Sequence, residues 1–266
     1  MRPSAPAQTI ALAFLGAARG RALSAPTLLA GAELLGVSGN ATRLALSRLK
    51  ARGDVLLAGR GRYVLSPLRR NAVAHVRSFK SGFAERVRWK GGFLGVLTAD
   101  LPRRNAAQVS RTERALSLSG FRAFRHGMWV RPDNLAGGRV VVSAHLSRLG
   151  LDEGAETIEL HLDATQLKAL ERSWDLAGDE AHARALTERV HRFLGGSGKL
   201  SRRAAAAECF WLGDEVLRFL ARDPLLPETM ADPEPRKRLA EAMATLDEQG
   251  FALWSSILEE LERPHG

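Results

Sequence analysis

Ser24-Ala25-Pro26 and Ser38-Gly39-Asn40 are two helix-start signals separated by one short apolar stretch, Leu28-Leu29 to Leu34-Leu35, which ends at Gly36. A serine oxygen accepts from the orphan N–H groups of a first helical turn, and proline fits that turn because its missing N–H would have had no partner. The spacing predicts one short helix, the turn Gly36-Val37-Ser38, and a second helix from Asn40 to about Arg52 that stops at Gly53. Apolar residues from Ile10 to Leu15, after Thr9, predict a further helix ahead of these two. Beyond Gly53, Val55-Leu56-Leu57 and Arg62-Tyr63-Val64-Leu65 flank Ala58-Gly59-Arg60-Gly61, the pattern of a β-hairpin with a basic, glycine-bearing tip. Two helices joined by a tight turn and followed by a hairpin make a winged helix-turn-helix the expected fold of this segment.

A helical wheel of the segment after Ser38 separates two faces. Thr42, Ala45, Leu46 and Leu49 gather on one side, which is expected to be core. Asn40, Arg43, Ser47 and Lys50 gather on the other, flanked by Leu44 and Arg48. Asparagine pairs bidentately with adenine and arginine with guanine, so Asn40 and Arg43, near the end that enters a groove first, are the candidate base readers. Ser47, Arg48 and Lys50 suit phosphates. On the hairpin, Arg60 and Arg62 are expected to touch the sugar-phosphate backbone or the minor groove, with Tyr63, the only tyrosine, packing or bonding at its base.

Charge supports this placement. The chain carries a net +10, and the excess lies at the front. Residues 1–84 hold thirteen Lys and Arg against two acids, Glu33 and Asp54, whereas the remaining residues hold twenty-six bases and twenty-seven acids. A polyanion partner explains a segregated excess, because each neutralised phosphate releases condensed counterions. An acidic membrane surface fits less well, since there is no basic amphipathic stretch with exposed aromatics. No apolar run approaches the ~20 residues of a bilayer span, and no basic region with an apolar signal core opens the chain, so a cytoplasmic location is expected. One cysteine, Cys209, excludes an intramolecular disulfide and reads as a small core residue.

The 266 residues are too many for one small core. From Phe93 the pattern runs strand, helix (about Asn105 to Ser119), a strand pair around Phe121 and Trp129, a segment to Leu149, and a strand through Ile158 and Leu160. That order suits a ferredoxin-like split β-α-β domain if Arg139–Leu149, strand-like in its Val140-Val141-Val142, is a helix. From Ala164 the apolar recurrence predicts helices over Ala164–Leu176, Glu180–Leu194, Leu200–Ala221 and Arg236–Glu262, with Gly195-Gly196-Ser197-Gly198-Lys199 as a flexible linker. The linker is no phosphate loop: it follows a helix, and Leu200 stands where a magnesium-binding Ser or Thr belongs. The expected fold class is therefore α+β in three domains: winged helix-turn-helix 1–84, ferredoxin-like 85–163, and helical 164–266.

Thr42-Arg43-Leu44-Ala45-Leu46-Ser47-Arg48-Leu49 resembles the recognition helix of the PaaX-type repressors, regulators of phenylacetic acid catabolism and related pathways. The hairpin end Gly61-Arg62-Tyr63-Val64-Leu65-Ser66, the Trp89-Lys90-Gly91-Gly92-Phe93 entry to a strand, Gly127-Met128-Trp129-Val130 and Arg222-Asp223-Pro224-Leu225-Leu226-Pro227 are similar to family motifs in the same order. The resemblance implies a homodimeric transcriptional repressor that binds double-stranded DNA and is released by an acyl-coenzyme A effector of the aryl thioester kind. Arg192, Lys199, Arg202, Arg203 and the C-terminal aromatics are compatible with such a ligand, as they are with solvated charge and core. No catalytic residue, metal or cofactor is expected. Two other readings stay open: a non-specific architectural DNA binder, and a metal-dependent nuclease centred on Asp100. The latter follows from a layout that also resembles the small ferredoxin-like CRISPR-associated proteins; Asp100 equally suits a loop carboxylate pairing with Arg103 or Arg104.

Overall fold

The computed structural model describes residues 7–78, 84–101 and 105–262. The fold is α+β, with two antiparallel sheets and a helical C-terminal segment. By contacts the chain divides into two compact units, Met1–Val73 with Val190–Asp214 and Met243–Gly266, and Ala74–Arg189 with Glu215–Ala242. The segment 164–266 expected to stand alone is shared between them.

In the first unit, α1 (Ala7–Ala17), α2 (Ala25–Leu34) and α3 (Gly39–Ala51) precede the hairpin β2 (Val55–Leu57) and β3 (Arg62–Leu65). A two-residue strand β1 (Leu23–Ser24) completes a sheet of order β1-β3-β2, with Leu23 opposite Tyr63 and Val55 opposite Leu65. Ser24 caps α2, its oxygen accepting from the Thr27 N–H at 3.2 Å, and Pro26 sits in the first turn, as the spacing predicts. The core joins Ile10, Phe14, Leu28, Leu46, Leu49 and Val55 to residues far down the chain, Ala206, Trp254, Ile257 and Leu258. Phe14 lies 4.9 Å from the Trp254 ring and 5.7 Å from that of Phe210, centroid to centroid. These later residues come from α9 (Arg202–Ala221) and α10 (Glu234–Glu262).

In the second unit the chain runs β4 (Phe93–Leu97), α5 (Ala106–Leu118), β5 (Arg122–Arg125), β6 (Met128–Pro132), α6 (Gly138–Leu149) and β7 (Glu156–Leu160). The sheet order is β5-β6-β4-β7, all neighbours antiparallel. Helix α6 forms despite its valine run because Val142, Leu146 and Leu149 share one buried face at helical spacing, while Val140 is left 74% exposed. Gly137 and Gly150, both at positive φ, bound it. The remaining helices are α4 (Pro67–Arg77), α7 (Ala164–Glu171) and α8 (Leu176–Gly196), with a 3-10 turn at Ser197–Lys199.

Two expectations need correction. Helix α7 ends at Glu171 and α8 starts at Leu176, because the Asp175 carboxylate accepts from the Gly178 N–H at 3.1 Å and starts a new helix there. The glycine-rich Gly195–Lys199 is no loose linker: α8 continues to Gly196, and buried Ser197 accepts from the Gln249 side-chain amide at 2.9 Å. Strand β4 begins at Phe93, as the pattern predicts; ahead of it the Trp89 indole N–H donates to the Gly92 carbonyl at 2.6 Å and its ring meets Phe93 edge-on. Cys209 is buried as expected, and burial raises its thiol to about 12.

Candidate nucleic-acid interface

Helix α3 is aligned by its start. The Ser38 hydroxyl accepts from the Ala41 N–H at 3.3 Å, and the Thr42 hydroxyl donates back to the Ser38 carbonyl at 3.1 Å. Thr42, Ala45, Leu46 and Leu49 are buried, which fixes the rotation of the helix. Asn40, Arg43, Ser47, Arg48 and Lys50 are consequently exposed, together with Leu44 at 52%. The six expected outward residues and the four expected inward ones stand where the 3.6-residue period puts them. Gly53, at φ +71°, ends the element in a conformation that favours glycine. Asp54 there is held by Arg52 at 3.3 Å and Arg69 at 3.8 Å, so one of the two acids of this segment is already neutralised.

The hairpin residues separate into three environments. Arg60 is exposed at the tip, where Gly59 and Gly61 both take positive φ. Tyr63 is half-buried against the core. Arg62 is engaged within the chain: its guanidinium donates to the Ala22 carbonyl at 2.7 Å and to Glu262 at 3.1 Å. Leu56 and Leu57, on the outer strand, are 46% and 47% exposed.

Glu262 has no counterpart in the sequence reading. Its Oε1 accepts from the Ser24 N–H at 3.1 Å and the Thr27 hydroxyl at 2.8 Å, and its Oε2 accepts from Arg62. Burial works against its charge, but these three donors outweigh it and hold the carboxyl down at about 2, from an ordinary 4.5. Because the folded-state value is the lower one, the tie contributes stability in full above the ordinary value and loses it as pH falls toward 2. Acid titration of the wild type and Glu262→Gln is expected to show a stability gap that is constant above about pH 4.5 and closes by about pH 2. Parallel curves through that window would contradict the tie.

Other candidates are placed as follows. Asp100 is exposed in the turn after β4, and Arg103 and Arg104, its expected partners, lie outside the described residues. Among the described residues no three His, Cys, Asp or Glu side chains gather as a metal site. Arg202, one of the cations considered for an effector, is bound bidentately by Glu260 at 2.6 and 2.7 Å and reaches Ser256 at 3.2 Å. The second unit holds an open cavity of about 390 Å³ lined by Arg122, His182, Arg218, Phe219 and Arg222 together with acids. Of these acids, Glu215 is bound by Arg189 through two bonds of 2.7 and 2.8 Å, and Asp223 by Arg236 at 3.2 Å. Burial lowers the pKa of Arg122 and raises that of Asp179 across the same cavity.

Among the described residues no helix is long and apolar enough to cross a membrane. No family model and no curated protein matches the chain. In fold it is similar to a solved structure, the uncharacterized protein Rv0674 from Mycobacterium tuberculosis, with 18% sequence identity, a TM-score of 0.50, and 94% of this chain and 97% of that chain covered.

Proposed function

We propose that this chain is a sequence-specific DNA-binding transcriptional regulator of the PaaX type, in which residues 7–65 act as a winged helix-turn-helix and α3 is the recognition helix. The observation that carries the reading is the rotation of α3. Its apolar face is consumed by the core, and Asn40, Arg43, Ser47 and Lys50 share the solvent side with Arg48 in the most basic part of the sequence. An amphipathic helix with this face, followed by a basic hairpin tip, is complementary to a major groove and its flanking phosphates. The second unit, read as a ferredoxin-like domain from its β-α-β-β-α-β order, is the element that pairs two copies into a cytoplasmic homodimer. Its cavity lined by Arg122, Arg218, Arg222 and Phe219 offers cations for phosphates and an aromatic face for an acyl-coenzyme A effector. Calorimetric titration of acyl thioesters in the presence and absence of bound DNA tests that part, because linkage makes each ligand weaken the other by the same factor.

Arg43→Ala is expected to cost about 1–3 kcal/mol on specific DNA and to relax preference at one base position. Lys50→Ala is expected to weaken specific and scrambled duplexes alike and to flatten the salt dependence by about one unit of slope. Competition binding over a panel of single-base variants separates the two. Unchanged affinity and unchanged preference in Arg43→Ala would overturn the assignment of this face.

A further inference from the structure

Three donors converge on the Glu262 carboxylate, and all belong to the first unit. The Ser24 N–H and Thr27 hydroxyl meet one oxygen and the Arg62 guanidinium meets the other. Ser24 is the N-cap of α2, so the positive end of that helix dipole points at the same place. The bond from Arg62 to the Ala22 carbonyl holds the guanidinium beside the helix start. Ser24 is also opposite Arg62 in the β1–β3 ladder, which places the cluster at the base of the hairpin whose tip carries Arg60. The Glu262 side chain is 18% exposed, and Thr27 is fully covered while the carboxylate is seated.

This is the donor set of an oxyanion site: a helix N-terminus, a hydroxyl and a guanidinium, aimed at two oxygens of one anion. A carboxylate and a phosphodiester present the same pair of anionic oxygens to it. Glu262 lies in the last turn of α10, and terminal turns open at small free-energy cost. We propose that Ser24, Thr27 and Arg62 form a phosphodiester-binding site of the DNA interface and that Glu262 is its internal occupant. DNA then gains this contact only by displacing the end of α10. The proposal rests on the DNA-binding reading given above.

Two consequences distinguish it from a merely structural tie. In the wild type Arg62 reaches a phosphate only in molecules whose α10 end has opened, because the guanidinium is otherwise held by Glu262. Removing the carboxylate strengthens DNA binding, and only while Arg62 is present. Full-length wild type, Glu262→Gln, Arg62→Ala and the double variant are titrated against one duplex by fluorescence anisotropy at several salt concentrations, with thermal unfolding of each recorded alongside. Glu262→Gln is expected to bind about fivefold to tenfold tighter and to steepen the dependence of log K on log salt by about one, the signature of one added phosphate contact. In the Arg62→Ala background removal of the carboxylate is expected to give no gain, so the double variant binds like Arg62→Ala. A chain ended at Leu261 supplies the same vacancy by another route and is expected to show the same gain. If the wild type binds DNA while Glu262→Gln and the shortened chain bind no tighter and with the same slope, the occupant proposal falls and the DNA-binding reading stands. If no form binds any duplex, both fall.

Discussion

Arg131→Met is expected to destabilise the second unit by about 3–5 kcal/mol, close to the range for breaking a buried charged network. Arg131 is 1% exposed and donates to a set of oxygen acceptors. It donates to the carbonyls of Ser119, Pro132 (3.1 Å) and Pro224 (3.4 Å) and to the Asn134 side-chain oxygen (3.2 Å), while the Asn134 amide donates to the Leu225 carbonyl at 2.8 Å. The pair thereby pins the Pro224–Leu225 backbone to the end of β6, where Leu225 itself takes a positive φ of 52°. Gly120 is part of the same junction: a Cβ there would stand 2.8 Å from the Pro224 backbone. Burial lowers the guanidinium to about 10, with Asp133 and Asp223 opposing that shift, so it is charged at neutral pH. Methionine fills much of the volume but leaves these acceptors without donors, and each buried orphan costs roughly 1–3 kcal/mol before relaxation. Arg131→Lys is expected to recover only part of the loss, since one ammonium cannot span acceptors arranged around a planar fork. Urea midpoints for the three proteins decide it; a Met variant within about 0.5 kcal/mol of wild type, the ordinary range for a surface change, would contradict the network's role.

Residues 1–84 alone are expected to lack a cooperative unfolding transition, although they contain α1 to α3 and the hairpin. Trp254, Ile257 and Leu258 are 7%, 3% and 3% exposed, and they complete the core around Phe14. Burying an apolar side chain contributes about 1.5–3 kcal/mol, so these three together supply roughly 5–9 kcal/mol. A whole domain has a net stability of about 5–15 kcal/mol, which leaves the fragment little or nothing. Its exposed Phe14 face would bind hydrophobic dyes, whereas in the full chain the Trp254 indole donates to the Ala206 carbonyl at 3.0 Å. Trp254→Ala in the full chain is expected to cost about 3–5 kcal/mol for the same reason. A fragment 1–84 that melts sharply, as the full chain is expected to, would show that the front of the molecule is self-sufficient.

What was legible in the sequence was local. Ser24 and Ser38 announce their helices, Gly53 closes α3, and the period of Thr42, Ala45, Leu46 and Leu49 predicts which side of α3 faces water. Helix α6 was legible from its place in the β-α-β-β-α-β order, against the propensity of its valines. The contacts that no local pattern signals join residues distant in the chain. Nothing around Glu262 distinguishes it from Glu259 or Glu260, and nothing around Arg131 distinguishes a buried arginine from a strand-end charge on the surface. The division into units was hidden for the same reason, since Trp254 and Ala206 carry an ordinary helical period that does not say which core they enter. The run Gly195–Lys199 misled by composition: Ser197 is fixed by Gln249, far along the chain.

That α3 reads base edges is tested most directly by titrating the full-length protein, at fixed salt, against the DNA flanking its own gene and against the same sequence scrambled, with the protected bases mapped on each. The prediction is a footprint over an imperfect inverted repeat whose half-sites lie about one helical turn, or a multiple of it, apart, as two recognition helices about 34 Å apart require. Affinity for that site is expected to exceed affinity for the scrambled duplex by about 10³-fold or more. Equal affinity for both, with no bounded footprint, would contradict it.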